Sequence, residues 1–209
     1  MAAGLQASLF DTDSDAPALT SLARGARRTE LADGAWVDLR PGWLQGSMEL
    51  FDGLRADVPW RAEERRMYDA TVPVPRLLAM YLERDRWPHP ILDAARVELS
   101  DHYRAELPSG FATAGLCLYR DGSDSVAWHG DRIGKGRSQD TLVAILSLGA
   151  PRPLLLRPRG GGASRRFVLG SGDLLVMGGS CQRTWDHAVP KVAGAGPRIS
   201  VQFRPSGVF

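Results

Sequence analysis

The sequence predicts a mainly β fold of the α+β class, with helices in its first half and a sandwich, barrel or jelly roll in its second half. Three observations lead to this prediction. The chain has 209 residues, which suits one domain built around β-sheets. After Gly110 it becomes a series of short β-branched and leucine-rich runs separated by Gly, Asp and Pro. Before Gly110, apolar residues recur in places at helical spacing.

The first 30 residues show no sustained apolar period and carry few large apolar groups. An acidic stretch from Asp11 to Asp15 is followed by a basic one from Arg24 to Arg28. We therefore expect residues 1–30 to be a poorly ordered or loosely packed arm. Because no linker is evident further on, we expect residues 31–209 to form a single domain.

Two helices are predicted between residues 36 and 107. The first follows Pro75 and contains the apolar run from Leu77 to Leu82. The second follows Pro90 and reaches Leu107, where the Pro108–Gly110 segment ends it. We expect these helices to pack on one face of a sheet.

The strands are predicted from short apolar runs between turn residues. Gly160 to Gly162 is interpreted as a hairpin tip rather than a phosphate-binding loop, because no Lys-Ser/Thr pair follows it. The predicted strands are Ser125–Trp128, Phe111–Tyr119, Thr141–Leu148, Pro153–Arg157, Arg166–Leu169, Asp173–Met177 and Ile199–Phe203.

Composition excludes several classes of protein. The 26 basic and 24 acidic residues leave a formal charge of +2, which permits nucleic-acid binding without requiring it. Cys117 and Cys181 are too few for a disulfide framework. No leader-like segment opens the sequence and no apolar run reaches the length of a membrane span. We expect a cytoplasmic protein that neither crosses a membrane nor needs an obligate protein partner.

Candidate metal ligands come from two separate segments. His129 and Asp131 follow a predicted strand, where residues two apart project to the same side. His187 lies in a second strand-like segment. Two imidazoles and one carboxylate leave three coordination positions open, as in oxygen-activating Fe(II) sites, where a keto acid takes two and O₂ the third. Zinc is the alternative metal, because hydrolases use the same ligand types.

A polar face on the last predicted strand argues against zinc. Residues 198, 200, 202 and 204 alternate with apolar ones, so they share one face; they are Arg198, Ser200, Gln202 and Arg204. Buried polar groups of this kind are costly unless they meet an anion. A dicarboxylate such as 2-oxoglutarate would supply a carboxylate for each arginine.

The ordered set of motifs resembles the AlkB family of nucleic-acid dealkylating dioxygenases. The resemblance covers roughly residues 67–205, and its motifs are Tyr119-Arg120-Asp121-Gly122, His129-x-Asp131, Gly172 to Met177, Trp185-x-His187-x-Val189-Pro190, and Arg198 six residues before Arg204. It implies a double-stranded β-helix, a jelly-roll variant, whose mouth holds Fe(II). It also implies 2-oxoglutarate as co-substrate and O₂ as oxidant.

The resemblance also implies roles for single residues. Tyr119 and Arg198 would hold the distal carboxylate of 2-oxoglutarate. Arg204, helped by Ser200, would lie near the carboxylate that chelates iron. The reaction would hydroxylate an N-alkyl group on a base, giving a hemiaminal that releases an aldehyde, with succinate and CO₂ as co-products.

Three positions depart from the family pattern. Cys117 and Ser200 stand where relatives often have asparagine, which removes or replaces hydrogen bonds to the co-substrate. Ile133 stands where an acidic residue often faces the base, which would weaken recognition of an exocyclic amino group.

Substrate contacts are expected from four residues. Met67 and Tyr68 match the place where relatives build a lid, Ile133 follows the metal site, and Arg157 lies at a strand end beside the glycine loop. The expected substrate is nucleic acid carrying an alkylated base, with DNA preferred over RNA. Two alternatives remain: the same iron chemistry on RNA, a protein side chain or a small molecule, or a non-catalytic jelly-roll module that binds a metal.

Overall fold

The computed structural model describes residues 16–67, 70–131 and 135–208, without the side chains of 65–67, 70–72 and 135. The helices are α1 (Ser47–Asp57), α2 (Pro90–His102) and the single turn α3 (Cys181–Thr184), with 3-10 turns at Ala32–Gly34 and Lys135–Arg137. The strands are β1 (Ala18–Leu19), β2 (Arg27–Glu30), β3 (Ala35–Arg40), β4 (Leu44–Gln45), β5 (Arg61–Met67), β6 (Ala70–Tyr81), β7 (Thr113–Tyr119), β8 (Val126–His129), β9 (Val143–Gly149), β10 (Arg152–Pro158), β11 (Arg165–Leu169), β12 (Leu174–Gly179), β13 (Trp185–Val189) and β14 (Arg198–Arg204).

Two antiparallel sheets face each other. The larger has the order β2-β3-β12-β9-β14-β7-β6-β5, and the smaller has the order β11-β10-β13-β8. The strands of the second half pass back and forth between the two sheets, with the β10–β11 hairpin inside the smaller one, in the manner of a jelly roll. All seven strands predicted after Gly110 are present, with bounds that differ by one or two residues. The predicted mainly β, jelly-roll architecture is confirmed.

The core is divided between the two faces of the larger sheet. On β14, Ile199, Val201 and Phe203 belong to a cluster that α1 and α2 cover. The opposite face of the same sheet packs against the smaller sheet through a second cluster. Because strand residues alternate between faces, the even-numbered polar residues of β14 lie in the space between the sheets.

The two longer helices pack on the larger sheet, as predicted, but only one of them is where the sequence placed it. The helix predicted from Pro90 is α2, which ends at His102, and His89 caps it by accepting from the Ile91 amide at 3.2 Å. The helix predicted over 77–82 is wrong, since residues 70–81 form β6. Leu77 packs on the helix-side cluster and Leu78 on the inter-sheet cluster. A strand with apolar contacts on both faces has a continuous apolar run, which periodicity does not distinguish from a helix.

The described half of the N-terminal segment is packed onto the domain. β1 pairs with β4, and β2 pairs with β3 at the edge of the larger sheet. Arg28 donates from Nε and Nη2 to the two carboxylate oxygens of Asp38, each at 2.8 Å. The expected loose arm therefore does not extend to residues 16–30, because these strand pairings and the buried Leu22 hold them. Residues 1–15 lie outside the described part.

Arg152 is a fully buried cation that joins two loops next to the smaller sheet. Its Nη1 donates to the Asp121 carbonyl at 3.0 Å, and its Nη2 donates to the carbonyls of Asp124 and Pro190 at 2.7 and 2.8 Å. Burial lowers the pKa of this guanidinium. The first two carbonyls precede β8 and the third follows β13, so Arg152 fixes both strands that carry the candidate metal ligands.

Replacing Arg152 by methionine is expected to lower the free energy of unfolding by about 2–5 kcal/mol, because three carbonyls lose their donor. Urea denaturation measures the effect. Arg152→Lys, which keeps the charge but has a single donor group, should lie between methionine and wild type. An unchanged urea midpoint for Arg152→Met would contradict the structural role given to this residue.

Both cysteines are buried and free. Burial raises the pKa of the Cys181 thiol to about 12, so this group stays protonated near neutral pH.

In the part of the chain that the structure describes, no helix is long and apolar enough to cross a membrane.

Candidate metal centre and co-substrate site

The three candidate metal ligands meet at the edge of the smaller sheet. His129 at the end of β8 lies directly opposite His187 on β13, and their ring centroids are 4.2 Å apart. Asp131 follows in the loop after β8, with Oδ1 at 3.9 Å from His129 Nε2. One ligand atom from each residue lies within 4.8 Å of the other two. This spacing is suitable for a single metal ion.

Hydrogen bonds orient the two ligands of the first segment. His129 Nδ1 lies 2.9 Å from the Ala127 carbonyl oxygen, so Nδ1 carries the proton and donates to it. The Nε2 lone pair is then available on the side of Asp131. The Asp131 amide donates to Gln182 Oε1 at 3.2 Å, and Gln182 is buried on α3. A metal-ligating imidazole commonly has this kind of support at its other nitrogen.

Arg204 keeps the carboxylate of Asp131 ionised. Its Nε donates to Asp131 Oδ2 at 2.8 Å, and both side chains are largely buried. Burial alone raises the pKa of Asp131, but the charges of Arg204 and His187 more than offset it and hold the pKa at about 2. The resemblance implies that Arg204 lies near the carboxylate that chelates iron; in the structure Arg204 binds Asp131, one of the candidate metal ligands.

Arg198 lies at the other end of the polar face of β14 and is fully buried. Its Nε donates to Ser147 Oγ at 2.9 Å, and its register partner on β7 is Tyr119. Burial lowers the pKa of Arg198. Among the described residues no carboxylate pairs with it, and its Nη1 has no hydrogen-bond partner. A buried cation with an unused donor fits an anionic group.

Tyr119 and Ser200 line the same space between the sheets. The Tyr119 side chain is buried, and the Arg198 guanidinium carbon lies 5.1 Å from the centre of its ring. Ser200 Oγ accepts from Gln202 Nε2 rather than contacting Arg204. The donor set thus fits a dicarboxylate with one end at Arg198 and Tyr119 and the other end toward the His-Asp-His cluster.

Of the four residues expected to contact the substrate, only Arg157 has a described side chain, and it does not face the metal cluster. Arg157 lies on the face of β10 opposite the metal cluster, where its guanidinium covers the Trp128 ring at 4.2 Å. The reason is that its neighbour Leu156 is the residue that pairs with His187 and points inward. Tyr68 and Ile133 lie outside the described residues, and so does the side chain of Met67.

Two further residues near the site were not assigned a role from the sequence. Arg76 on β6 adds a positive charge beside Tyr119, and its Nη1 donates to the Ser125 carbonyl at 3.4 Å. Its segment was interpreted as a helix, so its position opposite β7 could not be inferred. Met80 on the same strand is an exposed apolar residue beside Gly115, near the Arg204 guanidinium.

Comparison with known proteins gives consistent matches. The model of the 2OG-Fe(II) oxygenase superfamily matches residues 44–204. The chain is 32% identical to alpha-ketoglutarate-dependent dioxygenase alkB homolog 3 of Bos taurus over 193 residues, covering 80% of this chain and 65% of that protein. It is 34% identical to DNA oxidative demethylase ALKBH2 of Arabidopsis thaliana over 132 residues, covering 51% of this chain and 42% of that protein.

A structural comparison supports the fold. The solved structure of OsALKBH1 superposes with a TM-score of 0.60 and 14% sequence identity, over 86% of this chain and 100% of that chain. The present chain spans about 65% of the length of the alkB homolog 3 proteins. The family match covers most of the chain and includes the His-Asp-His cluster and Arg198. The chain therefore belongs to the 2OG-Fe(II) oxygenase superfamily, and the AlkB-like resemblance of its motifs is confirmed.

Proposed function

We propose that this protein is an Fe(II)- and 2-oxoglutarate-dependent dioxygenase that removes alkyl groups from the nitrogen atoms of nucleobases in DNA. The observation that carries the proposal is a single strand, β14, whose inward face connects Arg204 at the His-Asp-His cluster with Arg198, whose Nη1 has no hydrogen-bond partner among the described residues. His129, Asp131 and His187 would hold the metal. Arg198 and Tyr119 would bind the distal carboxylate of 2-oxoglutarate.

The protein's own groups would position the reactants. The Ala127 carbonyl sets the tautomer of His129, and Arg204 keeps Asp131 negative and fixed. Burial of Arg198 and Tyr119 excludes water from the distal carboxylate. Bound Fe(II) would supply the oxidation, in which one atom of O₂ enters succinate and the other enters the N-alkyl group. The C–N bond of the hydroxylated N-methyl group then breaks. This releases formaldehyde and transfers the hydroxyl proton to the nitrogen.

The proposed nucleic-acid substrate is supported by charge. The hairpin formed by β10 and β11 carries four arginines that are not fully buried, and the sequence from Thr141 to Gly172 contains no acidic residue. These arginines are Arg157, Arg159, Arg165 and Arg166. Guanidinium groups are suited to binding phosphates. The similarity to a protein named DNA oxidative demethylase supports DNA as the strand type.

Formaldehyde release from methylated oligonucleotides tests this proposal. Matched DNA and RNA strands carrying 1-methyladenine or 3-methylcytosine would be incubated with protein, Fe(II), 2-oxoglutarate and air. We expect formaldehyde from the methylated DNA strand and none from its unmethylated counterpart. Release from RNA alone would contradict the DNA substrate. Succinate formation that no methylated strand stimulates would contradict nucleobase dealkylation and direct attention to protein or small-molecule substrates.

The charge of the hairpin leads to a separate prediction. Replacing Arg165 and Arg166 together by alanine should weaken binding of a single-stranded oligonucleotide and lower the slope of log Kd against log salt by up to about 1.4, the value for two phosphate contacts. Arg84 and Arg86, exposed in the turn between β6 and α2, give a control with the same loss of charge. Equal salt slopes for both double variants would contradict a specific role for the hairpin.

A further inference from the structure

Met80 on β6 faces the space between the two sheets and is nevertheless exposed. Leu78, two residues earlier on the same face of β6, packs against the inter-sheet cluster. The Met80 Sδ lies 3.9 Å from the position that a Cβ on Gly115 would take, and Gly115 is its register partner on β7. Yet 44% of Met80 remains exposed. The space between the sheets is therefore open to solvent beside Met80.

This opening lies at the metal end of the site. The same Cβ position on Gly115 is 2.9 Å from Arg204 Nη1. Arg204 in turn donates from Nε to Asp131, one of the three candidate metal ligands. The Met80 thioether and the metal cluster therefore border the same guanidinium group.

The course of β8 places His129 across the opening from Met80. The Ser125 amide donates to the Pro75 carbonyl at 3.0 Å, so β8 begins beside the middle of β6. β7 is antiparallel to β6, and the short loop after β7 turns the chain back, so β6 and β8 run in the same direction. Met80 is five residues beyond Pro75, and His129 is four residues beyond Ser125. Because each strand rises about 3.3 Å per residue, the two side chains reach a similar level on facing walls.

Both walls of the opening present surface to a ligand. The His129 side chain is 40% exposed, and the thioether of Met80 is a polarisable group that makes favourable contacts with aromatic rings. Among the described residues, the other exposed large apolar side chains lie on the two longer helices or on the edge strand β11: Met48, Val97 and Val168. Within that part of the chain, Met80 is thus the exposed large apolar residue that a substrate approaching the metal would cover.

We propose that Met80 is a specificity-determining residue whose thioether contacts the ring of the alkylated base while the alkyl group points toward the metal. This inference rests on the proposed nucleobase dealkylation. The contact removes an apolar group from water, which favours binding. Because this wall carries no charge, it accepts positively charged rings such as 3-methylcytosine and neutral rings such as 3-methylthymine.

A charge placed at position 80 reports on this contact. Met80→Lys should weaken binding of a strand carrying 3-methylcytosine roughly tenfold more than binding of a strand carrying 3-methylthymine, because like charges repel at short range in a partly exposed site. Met80→Glu should shift the ratio of the two Kd values in the opposite direction. Attraction of the new lysine to phosphates cancels in this ratio, since both strands carry the same phosphates.

Two further variants complete the set. Met48→Lys adds the same charge at an exposed methionine of α1 and should leave the ratio at its wild-type value. Met80→Ala should bind either methylated strand roughly fivefold more weakly, as for loss of a partly covered apolar side chain, with an unchanged 2-oxoglutarate Kd.

The experiment is anaerobic fluorescence anisotropy of the full chain loaded with Mn(II) and 2-oxoglutarate, with single-stranded oligonucleotides that differ in one base. An unchanged Kd ratio in Met80→Lys and Met80→Glu would overturn the inference alone. A loss of 2-oxoglutarate affinity in Met80→Ala would also overturn it, because that loss indicates a structural role. Wild-type protein that binds methylated and unmethylated strands equally would overturn the proposed nucleobase substrate and this inference with it.

Discussion

Replacing Asp131 by alanine is expected to reduce 2-oxoglutarate turnover by more than about 100-fold, since even residues that only support a metal ligand typically account for about 10–100-fold. The substitution removes a ligand and also leaves the Arg204 guanidinium without its carboxylate. Replacing His187 by alanine should have an effect of similar size. Succinate formation under saturating Fe(II) measures both.

Two controls separate chemistry from folding. Circular dichroism and the melting temperature should show that both variants remain folded, because neither side chain belongs to a hydrophobic cluster of the core. His102→Ala removes a histidine at the end of α2, away from the cluster, and should retain wild-type turnover. Succinate formation by a folded Asp131→Ala protein at the wild-type rate would refute the assignment of the metal site.

Replacing Arg198 by methionine should weaken 2-oxoglutarate binding by about 2–5 kcal/mol, or roughly 30- to 4,000-fold in Kd, the range for removing one partner of a buried charge pair. The free protein should not be destabilised to the same extent. A buried guanidinium whose Nη1 has no partner among the described residues is itself unfavourable, and an apolar side chain of similar length relieves this.

The two effects of Arg198→Met are measured in one thermal experiment. The melting temperature of the wild-type Mn(II) form should rise when 2-oxoglutarate is added, whereas that of the variant should stay the same. Without 2-oxoglutarate, the variant should melt at or above the wild-type temperature. Arg198→Lys keeps the charge but not the planar fork, so it should bind with intermediate affinity. If 2-oxoglutarate raised the melting temperature of Arg198→Met as much as that of wild type, the role of Arg198 in binding 2-oxoglutarate would be contradicted.

The second half of the fold could be predicted because its strands are short and separated by turn residues. β14 is the clearest case, since its alternation of apolar and polar residues matches the helix-side cluster and the inter-sheet space. The first half was harder. β6 contacts both clusters through partly buried apolar residues and lacks alternation. α1 has apolar residues at Leu50, Phe51 and Leu54, but it starts after Gly46 without a side-chain cap to mark it.

In the site, too, residues marked by a local sequence pattern could be predicted, whereas contacts between residues far apart in sequence could not. His129, Asp131 and His187 could be found because their spacing in two strand-like segments indicates a shared edge. The contacts of Arg204 with Asp131 and of Gln182 with the Asp131 amide join residues 73 and 51 positions apart in sequence. No periodic pattern encodes such pairs. The buried Arg152 was missed for the same reason, because its three carbonyl partners come from loops whose positions depend on the folded sheets.

The central claim, that this chain couples Fe(II) to 2-oxoglutarate oxidation, is tested most directly by anaerobic reconstitution followed by admission of O₂ and measurement of succinate. We predict succinate with Fe(II), an increase when a methylated oligonucleotide is added, and none when Zn(II) replaces Fe(II). A folded protein that binds Fe(II) and 2-oxoglutarate but forms no succinate with any methylated strand would contradict the account and favour a metal-binding module without oxygenase activity.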